Sequence, residues 1–162
     1  MKLRRKARMA VLQALYEVDV ANHPAGDALE SRLRDEPLPP AAETFARQLM
    51  TGILSHRHRL NELITRYAPE WPLDQMAVLD RNILRIAIFE LSNADLDTPS
   101  KVAINEAVEM AKVFGSDSSP RFINGVLGAL MAEAPRPELG NALPPEMQGG
   151  LTPGASPEAA AA

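Results

Sequence analysis

Apolar residues recur along this chain at spacings of three and four, the period of an amphipathic helix, and no strand-like alternation is visible. The pattern is organised around Leu79-Asp80-Arg81-Asn82-Ile83-Leu84-Arg85-Ile86-Ala87-Ile88-Phe89-Glu90-Leu91, where eight of thirteen residues are apolar. These cover most of a helical circumference, so the helix must be wrapped by others. It is too short to cross a bilayer and too polar at its start.

The flanking pattern predicts the wrapping elements. Ala7, Ala10, Val11, Ala14, Leu15 and Val18 form one stripe and predict a first helix over Leu3–Ala21. A short helix is expected around Asp27–Arg34, followed by a rigid connection through Pro37, Pro39 and Pro40. Ala46, Leu49, Met50, Ile53 and Leu54 make a stripe, and Leu60, Leu63, Ile64 and Tyr67 make another that is out of phase with it. This predicts two helices, or one helix kinked near Gly52–His58. Pro69-Glu70-Trp71-Pro72 is the expected hinge between an N-terminal lobe (1–68) and a C-terminal lobe (69–134), because proline disfavours helix at the residue before it. Trp71, the only tryptophan, is expected to pack between the lobes, with ligand stacking as the alternative.

Thr98-Pro99 reads as an N-cap followed by proline, opening a helix Pro99–Phe114. That helix is expected to bury Ile104, Ala107, Val108, Ala111 and Phe114 and to expose Lys101, Asn105, Glu106, Glu109 and Lys112. Ser119-Pro120 repeats the signal before a last helix that buries Ile123, Val126, Leu127, Leu130 and Met131. Gly125 and Gly128 lie off that stripe, as if to admit another backbone. After Ala134 the composition turns to proline, alanine and glycine, so 135–162 is expected to be a disordered tail.

Composition narrows the function classes. With 162 residues the chain suits one domain of two lobes, able to bury roughly 70% of its unfolded surface. The absence of cysteine excludes a disulfide framework, a thiolate nucleophile and a cysteine-ligated zinc. No signal peptide or membrane span is expected, which is compatible with the cytoplasm. The net charge of −4 is unevenly spread. Lys2, Arg4, Arg5, Lys6 and Arg8 stand at the start without an acid among them, while residues 9–131 hold about −6. Cations at a helix N-terminus oppose the helix dipole. On charge alone, a polyanion contact confined to that end and a merely solvated terminus both stay open.

Catalytic chemistry is not indicated. His56 and His58 are two apart and point to opposite sides of a helix, and Asp95 with Asp97 lacks the spacing of a calcium loop. Gly115-Ser116-Asp117-Ser118-Ser119 is either a helix stop and cap or a stretch offering amides and hydroxyls to a phosphate. Phe122, off the main stripe and beside Arg121, is either an edge-of-core residue or a platform for an unpaired base.

Four segments together resemble the NusB family of bacterial transcription antitermination factors. They are Arg4-Arg5-Lys6-Ala7-Arg8 with Leu12-Gln13-Ala14-Leu15-Tyr16; Leu79 to Ala87 with Glu90-Leu91; Lys101 to Lys112; and Phe114-Gly115 with Phe122-Ile123-Asn124-Gly125-Val126-Leu127. They stand in the family's order and spacing and cover about residues 2–133. The resemblance implies an all-α, NusB-like fold of about seven helices, with two perpendicular helical lobes around the central apolar helix. It implies no enzymatic activity and no cofactor or metal. It implies binding of the boxA element of ribosomal RNA transcripts together with NusE, a small-subunit ribosomal protein, and a place with other Nus factors on RNA polymerase.

Carried over by residue, the resemblance assigns Lys2, Arg4, Arg5, Lys6 and Arg8 to RNA phosphates. It places Tyr16 and Phe122, the latter beside Arg121, near the RNA surface. It sets Asp80 and Arg81 in the region that meets NusE. Many members of the family carry an acid where Ser118 stands, so Asp117 is the expected substitute at that partner contact. The family also includes dimers, and the sequence leaves the oligomeric state open. The alternatives are a helical protein–protein adaptor that binds no RNA, and an RNA-binding module related to that of ribosomal RNA methyltransferases. The latter would need a glycine-rich cofactor loop and catalytic cysteines.

Overall fold

The central apolar stretch forms a helix that five others pack against. The structure, a computed structural model, describes residues 2–144, Glu146 and Gln148. Among the described residues are seven α-helices and no strands. They are α1 (Leu3–Ala21), α2 (Ala25–Asp35), α3 (Pro40–Ser55), α4 (Arg57–Tyr67), α5 (Val78–Ser92), α6 (Ser100–Phe114) and α7 (Ser119–Glu133). One-turn 3₁₀ segments at Leu73–Gln75 and Ala94–Leu96 flank α5. Every residue of α5 from Asp80 to Leu91 is buried, under cover from α1, α3, α4, α6 and α7. No helix among the described residues is long and apolar enough to cross a membrane.

Helices α2 and α3 assemble on α1, whose stripe of Ala7, Val11, Leu12, Ala14, Leu15 and Val18 is buried against α2, α3 and α5, while α4 packs mainly on α5 and α7. The out-of-phase stripes of α3 and α4 resolve into two helices that turn at His56. Gly52 lets α3 cross α5 closely. A β-carbon there would fall 1.9 Å from Cζ of Phe89, which the chain cannot accommodate without moving that buried ring. Gly52→Ala is therefore expected to cost about 1–3 kcal/mol, the usual penalty for overpacking. A urea denaturation midpoint unchanged from the parent would show that the ring has room to shift.

The second half departs from the expected pattern in four places. Helix α6 buries Ala103, Glu106, Ala107, Met110 and Ala111, while Ile104, Val108 and Phe114 are half-buried. The buried face is thus rotated toward the small residues, which let α5 and α6 approach. The larger apolar side chains cover the edge, and Glu106, expected in solvent, lies inside. Thr98 does not cap α6; its hydroxyl donates to Glu90 Oε1 at 3.0 Å. Gly125 and Gly128 face open space, with no backbone against them. Trp71 is not packed between lobes but is 52% exposed.

The stretch expected to begin a disordered tail has contacts of its own within the described residues. Glu133 pairs with Arg66 and accepts from the Tyr67 hydroxyl at the end of α4. The chain then runs back along α4. Pro137 is buried and Leu139 packs on the core, Arg59 Nε donates to the Glu138 carbonyl, and the Leu143 amide donates to the Ser55 carbonyl at 2.7 Å. Residues 145, 147 and 149–162 of the expected tail lie outside the described residues.

Candidate nucleic-acid interface

Helix α1 has no acid in its first turn and no side-chain cap, so its basic start is held by contacts to other helices. Arg8 is the deepest of these. It is 3% exposed, and its Nε and Nη2 donate to the two oxygens of Glu90, on α5, at 2.8 Å each. It sits on the ladder Arg8, Leu12, Leu15, Asp19, which faces α5. Both prongs of the guanidinium of Arg8, expected to meet RNA phosphate, are occupied here by Glu90, so it forms a strut between α1 and α5.

Arg5 forms a second fork, donating from Nε and Nη2 to Glu106 on α6 at 2.8 and 3.0 Å, but it stays partly in solvent. The hydrogen bonds from Arg5, helped by the charges of Arg5, Arg8 and Lys2, hold the Glu106 carboxyl below the usual carboxylate range against the opposing effect of burial. A carboxyl with a lowered folded pKa contributes stability above its ordinary pKa and loses it as pH falls through the folded value. The Arg5–Glu106 contact is therefore intact at neutral pH. Arg4 is exposed; its Nη1 donates to the Leu96 carbonyl at 2.7 Å and its guanidinium lies 4.3 Å from the centre of the Phe45 ring. Lys2 and Lys6 are exposed. Of the five cations, Arg5 and Arg8 thus meet the buried carboxylates Glu106 and Glu90, and the charge offered to solvent is carried by Lys2, Lys6, Arg4 and the outer face of Arg5. Tyr16, 42% exposed, lies eleven residues from Arg5 on the same side of α1, roughly 16 Å along it.

The other candidates gather at the far end of α5. Asp80, at its start, is ten residues from Glu90, a rise of about 15 Å. Arg121 is exposed and Phe122 half-buried in the first turn of α7. Both line two adjoining clefts of about 230 and 460 Å³, and Trp71 lines both as well. The structure therefore brings Arg121 and Phe122 together with Trp71, and sets them apart from the basic terminus. Asp117 and Ser118 are exposed in the loop before α7.

Asp80 and Arg81, expected at a protein partner, are both buried. The Arg81 side chain turns inward, its Nη1 donating to the Leu73 carbonyl at 3.2 Å and its Nε 3.5 Å from Asp19. Asp80 lines the larger cleft. Burial pushes its carboxyl up, with the Ser119 hydroxyl acting in the opposite direction, and its Oδ1 has no hydrogen-bond partner.

The sequence pattern missed the roles of Phe45, Glu90 and Glu106. For Arg8 a signal did exist. Arg8 and Asp19 are eleven residues apart, three helical turns, and bracket Leu12 and Leu15 on one ladder. Asp19 has a fully buried side chain that accepts from Asn82 Nδ2 at 3.0 Å and Arg85 Nη1 at 3.2 Å.

The NusB family model matches residues 5–132. The transcription antitermination protein NusB of Chloroflexus aggregans is 48% identical over 129 residues, covering 79% of this chain and 86% of that protein. Its counterpart from Dehalococcoides mccartyi is 50% identical over 127 residues, covering 78% and 88%. Among solved structures, T. maritima NusB superposes with a TM-score of 0.74 at 37% identity, covering 80% of this chain and 91% of that one. A crystal structure of antitermination factors NusB and NusE in complex with dsRNA matches at 22% identity and a TM-score of 0.72, over 82% and 98%, which is a likeness of fold.

Proposed function

The chain belongs to the NusB family, and from that premise we propose that it is a transcription antitermination protein, not an enzyme, acting in the cytoplasm. It binds the single-stranded boxA element of ribosomal RNA transcripts together with NusE, and joins the other Nus factors on RNA polymerase. The observation that supports this most is the basic start of α1. Lys2, Lys6 and Arg4 keep their charge at the surface, while the Arg8–Glu90 fork fixes the helix that carries them. Single-stranded RNA recognition needs cations for phosphates and exposed planar groups for unstacked bases. Tyr16 and the Arg121–Phe122 pair supply planar groups beyond the basic end. The NusE contact is assigned to the exposed loop at Asp117 and Ser118 with the neighbouring start of α5. A body with an overall charge of −4 holds RNA narrowly, which suits a protein that binds with a partner.

The test is a titration of boxA RNA and a scrambled RNA, each with and without NusE. Tighter binding of boxA, strengthened by NusE, is expected. Equal affinity for the two RNAs sinks the reading, and NusE binding without any boxA preference supports a protein–protein adaptor instead. Salt dependence sharpens the residue assignment. Three phosphate contacts give a slope of log K against log salt of about −2, roughly a 20-fold loss between 50 and 200 mM. Replacing Lys2 and Lys6 by Ala should reduce that slope to about −0.7 with an unchanged melting temperature. An unaltered slope removes both lysines from the RNA contact.

A further inference from the structure

We propose that Phe45, a buried residue that RNA does not touch, is a positioning residue for RNA binding. Its ring and the Leu96 carbonyl hold Arg4 so that one edge of the guanidinium stays open to two oxygens of a single phosphate. This rests on the RNA-binding reading and adds to it the residue that sets Arg4 apart from the other cations of the basic start.

Three arginines stand in the first two turns of α1, and they are used differently. Arg5 and Arg8 each commit the edge formed by Nε and Nη2 to the two oxygens of a carboxylate. Arg4 does not. Its hydrogen bonds run through Nη1, which donates to the Leu96 carbonyl at 2.7 Å and to the Thr98 hydroxyl at 3.3 Å. Its Nε and Nη2 have no partner among the described residues, and the residue is exposed. The open edge is one that pairs bidentately with a carboxylate or a phosphate. No acid of the protein takes it, so it is left for a ligand.

Phe45 fixes the plane of that guanidinium. The residue lies on α3 and is 2% exposed, and the central carbon of the Arg4 guanidinium stands 4.3 Å from its ring centre. A cation so close over a ring is attracted by the negative ring face. Thr98 adds a lateral restraint. Its hydroxyl donates to Glu90 Oε1 at 3.0 Å, so toward Arg4 it can only accept.

Ring, carbonyl and hydroxyl thus order a long side chain before any ligand arrives. A receptor ordered in advance loses less freedom on binding and holds its ligand more tightly. Lys2 and Lys6 are exposed without a side-chain hydrogen bond among the described residues. They supply charge alone, whereas Arg4 supplies charge in a set orientation.

The full-length protein, with NusE, is titrated with boxA RNA at several salt concentrations. Arg4→Lys keeps the charge and removes both the fork and the stacked plane. It should weaken binding about 2- to 30-fold, the worth of one cation–ring contact, at an unchanged salt slope. Arg4→Ala should also reduce the steepness of that slope by about 0.7, one phosphate contact. Phe45→Leu stays apolar but has no ring face. It should weaken the parent as Arg4→Lys does, yet change the affinity of Arg4→Ala by less than about twofold, because the two residues act as one unit. Equal weakening by Phe45→Leu in both backgrounds means a merely structural role and overturns the proposal. Parent-like affinity in Arg4→Lys also overturns it, and that variant leaves the core untouched should Phe45→Leu fail to fold. Either result with the boxA preference intact leaves the RNA reading standing. Failure of the parent protein to bind any RNA, even with NusE, refutes that reading and the role of Phe45 with it.

Discussion

Arg8→Ala is expected to lose about 3–5 kcal/mol of folding stability, the cost of breaking a buried ion pair from one side. Two carboxylate oxygens of Glu90 would lose their guanidinium at a site where that side chain is 1% exposed, and only the Thr98 hydroxyl would continue to donate to it. The ring of Phe45, which both Arg4 and Arg8 approach, would lose one of its two cations. Arg8→Lys should recover little, because an ammonium cannot reproduce the two parallel hydrogen bonds. A double variant, Arg8→Met with Glu90→Met, should recover much of the loss by removing the buried charge as well as its partner. Urea denaturation reads the stability. RNA affinity, measured at a temperature where the variant is folded, should stay within about twofold, since Arg8 has no group to spare for phosphate. A variant that melts like the parent but binds RNA tenfold more weakly would return Arg8 to the RNA surface.

Asp19→Ala is expected to cost a similar 3–5 kcal/mol, for the mirror reason. Asp19 is the carboxylate that the structure pairs with Arg81 and Arg85, and the Asn82 amide also donates to it. Arg85 is fully buried. Burial pushes its guanidinium down to about 10, with the charge of Asp19 holding it up. Without Asp19 it would keep the neutral carbonyl oxygens of Asn61 and Asn82 but lose its carboxylate. Asp19→Asn keeps an acceptor in place and should cost less than the alanine variant. Thermal unfolding measured on the two variants checks the order. Equal melting temperatures for both would mean that packing, not the charge, is what Asp19 contributes.

These two clusters bear on function through geometry. Arg8–Glu90 and Asp19–Arg85 fasten α1 to α5 at two points three turns apart along α1. The basic end of α1 and the aromatic clefts beside the start of α5 are thereby held at a set separation.

The helix positions were legible in the sequence because each helix buries a stripe repeating every three or four residues, and the apolar density of Ile83 to Leu91 marked α5 as the one to be surrounded. The cationic start was legible from composition. What the sequence left undecided was the direction in which charged residues at the margin of a stripe point. Arg8 and Lys6 belong to the same basic run, yet one is buried and the other is solvated. The difference is made by Glu90, 82 positions away, because a charge enters a helical interface only where an opposite charge meets it. Glu106 turns inward for Arg5 in the same way, and Arg81 and Arg85 for Asp19. Trp71 shows the converse: hydrophobicity alone predicts burial, but no neighbouring helix covers it, and the indole is left at the surface. Local periodicity determined the helices of this protein, and the pairing of distant charges, which only the tertiary structure brings together, decided which of its cations stay at the surface.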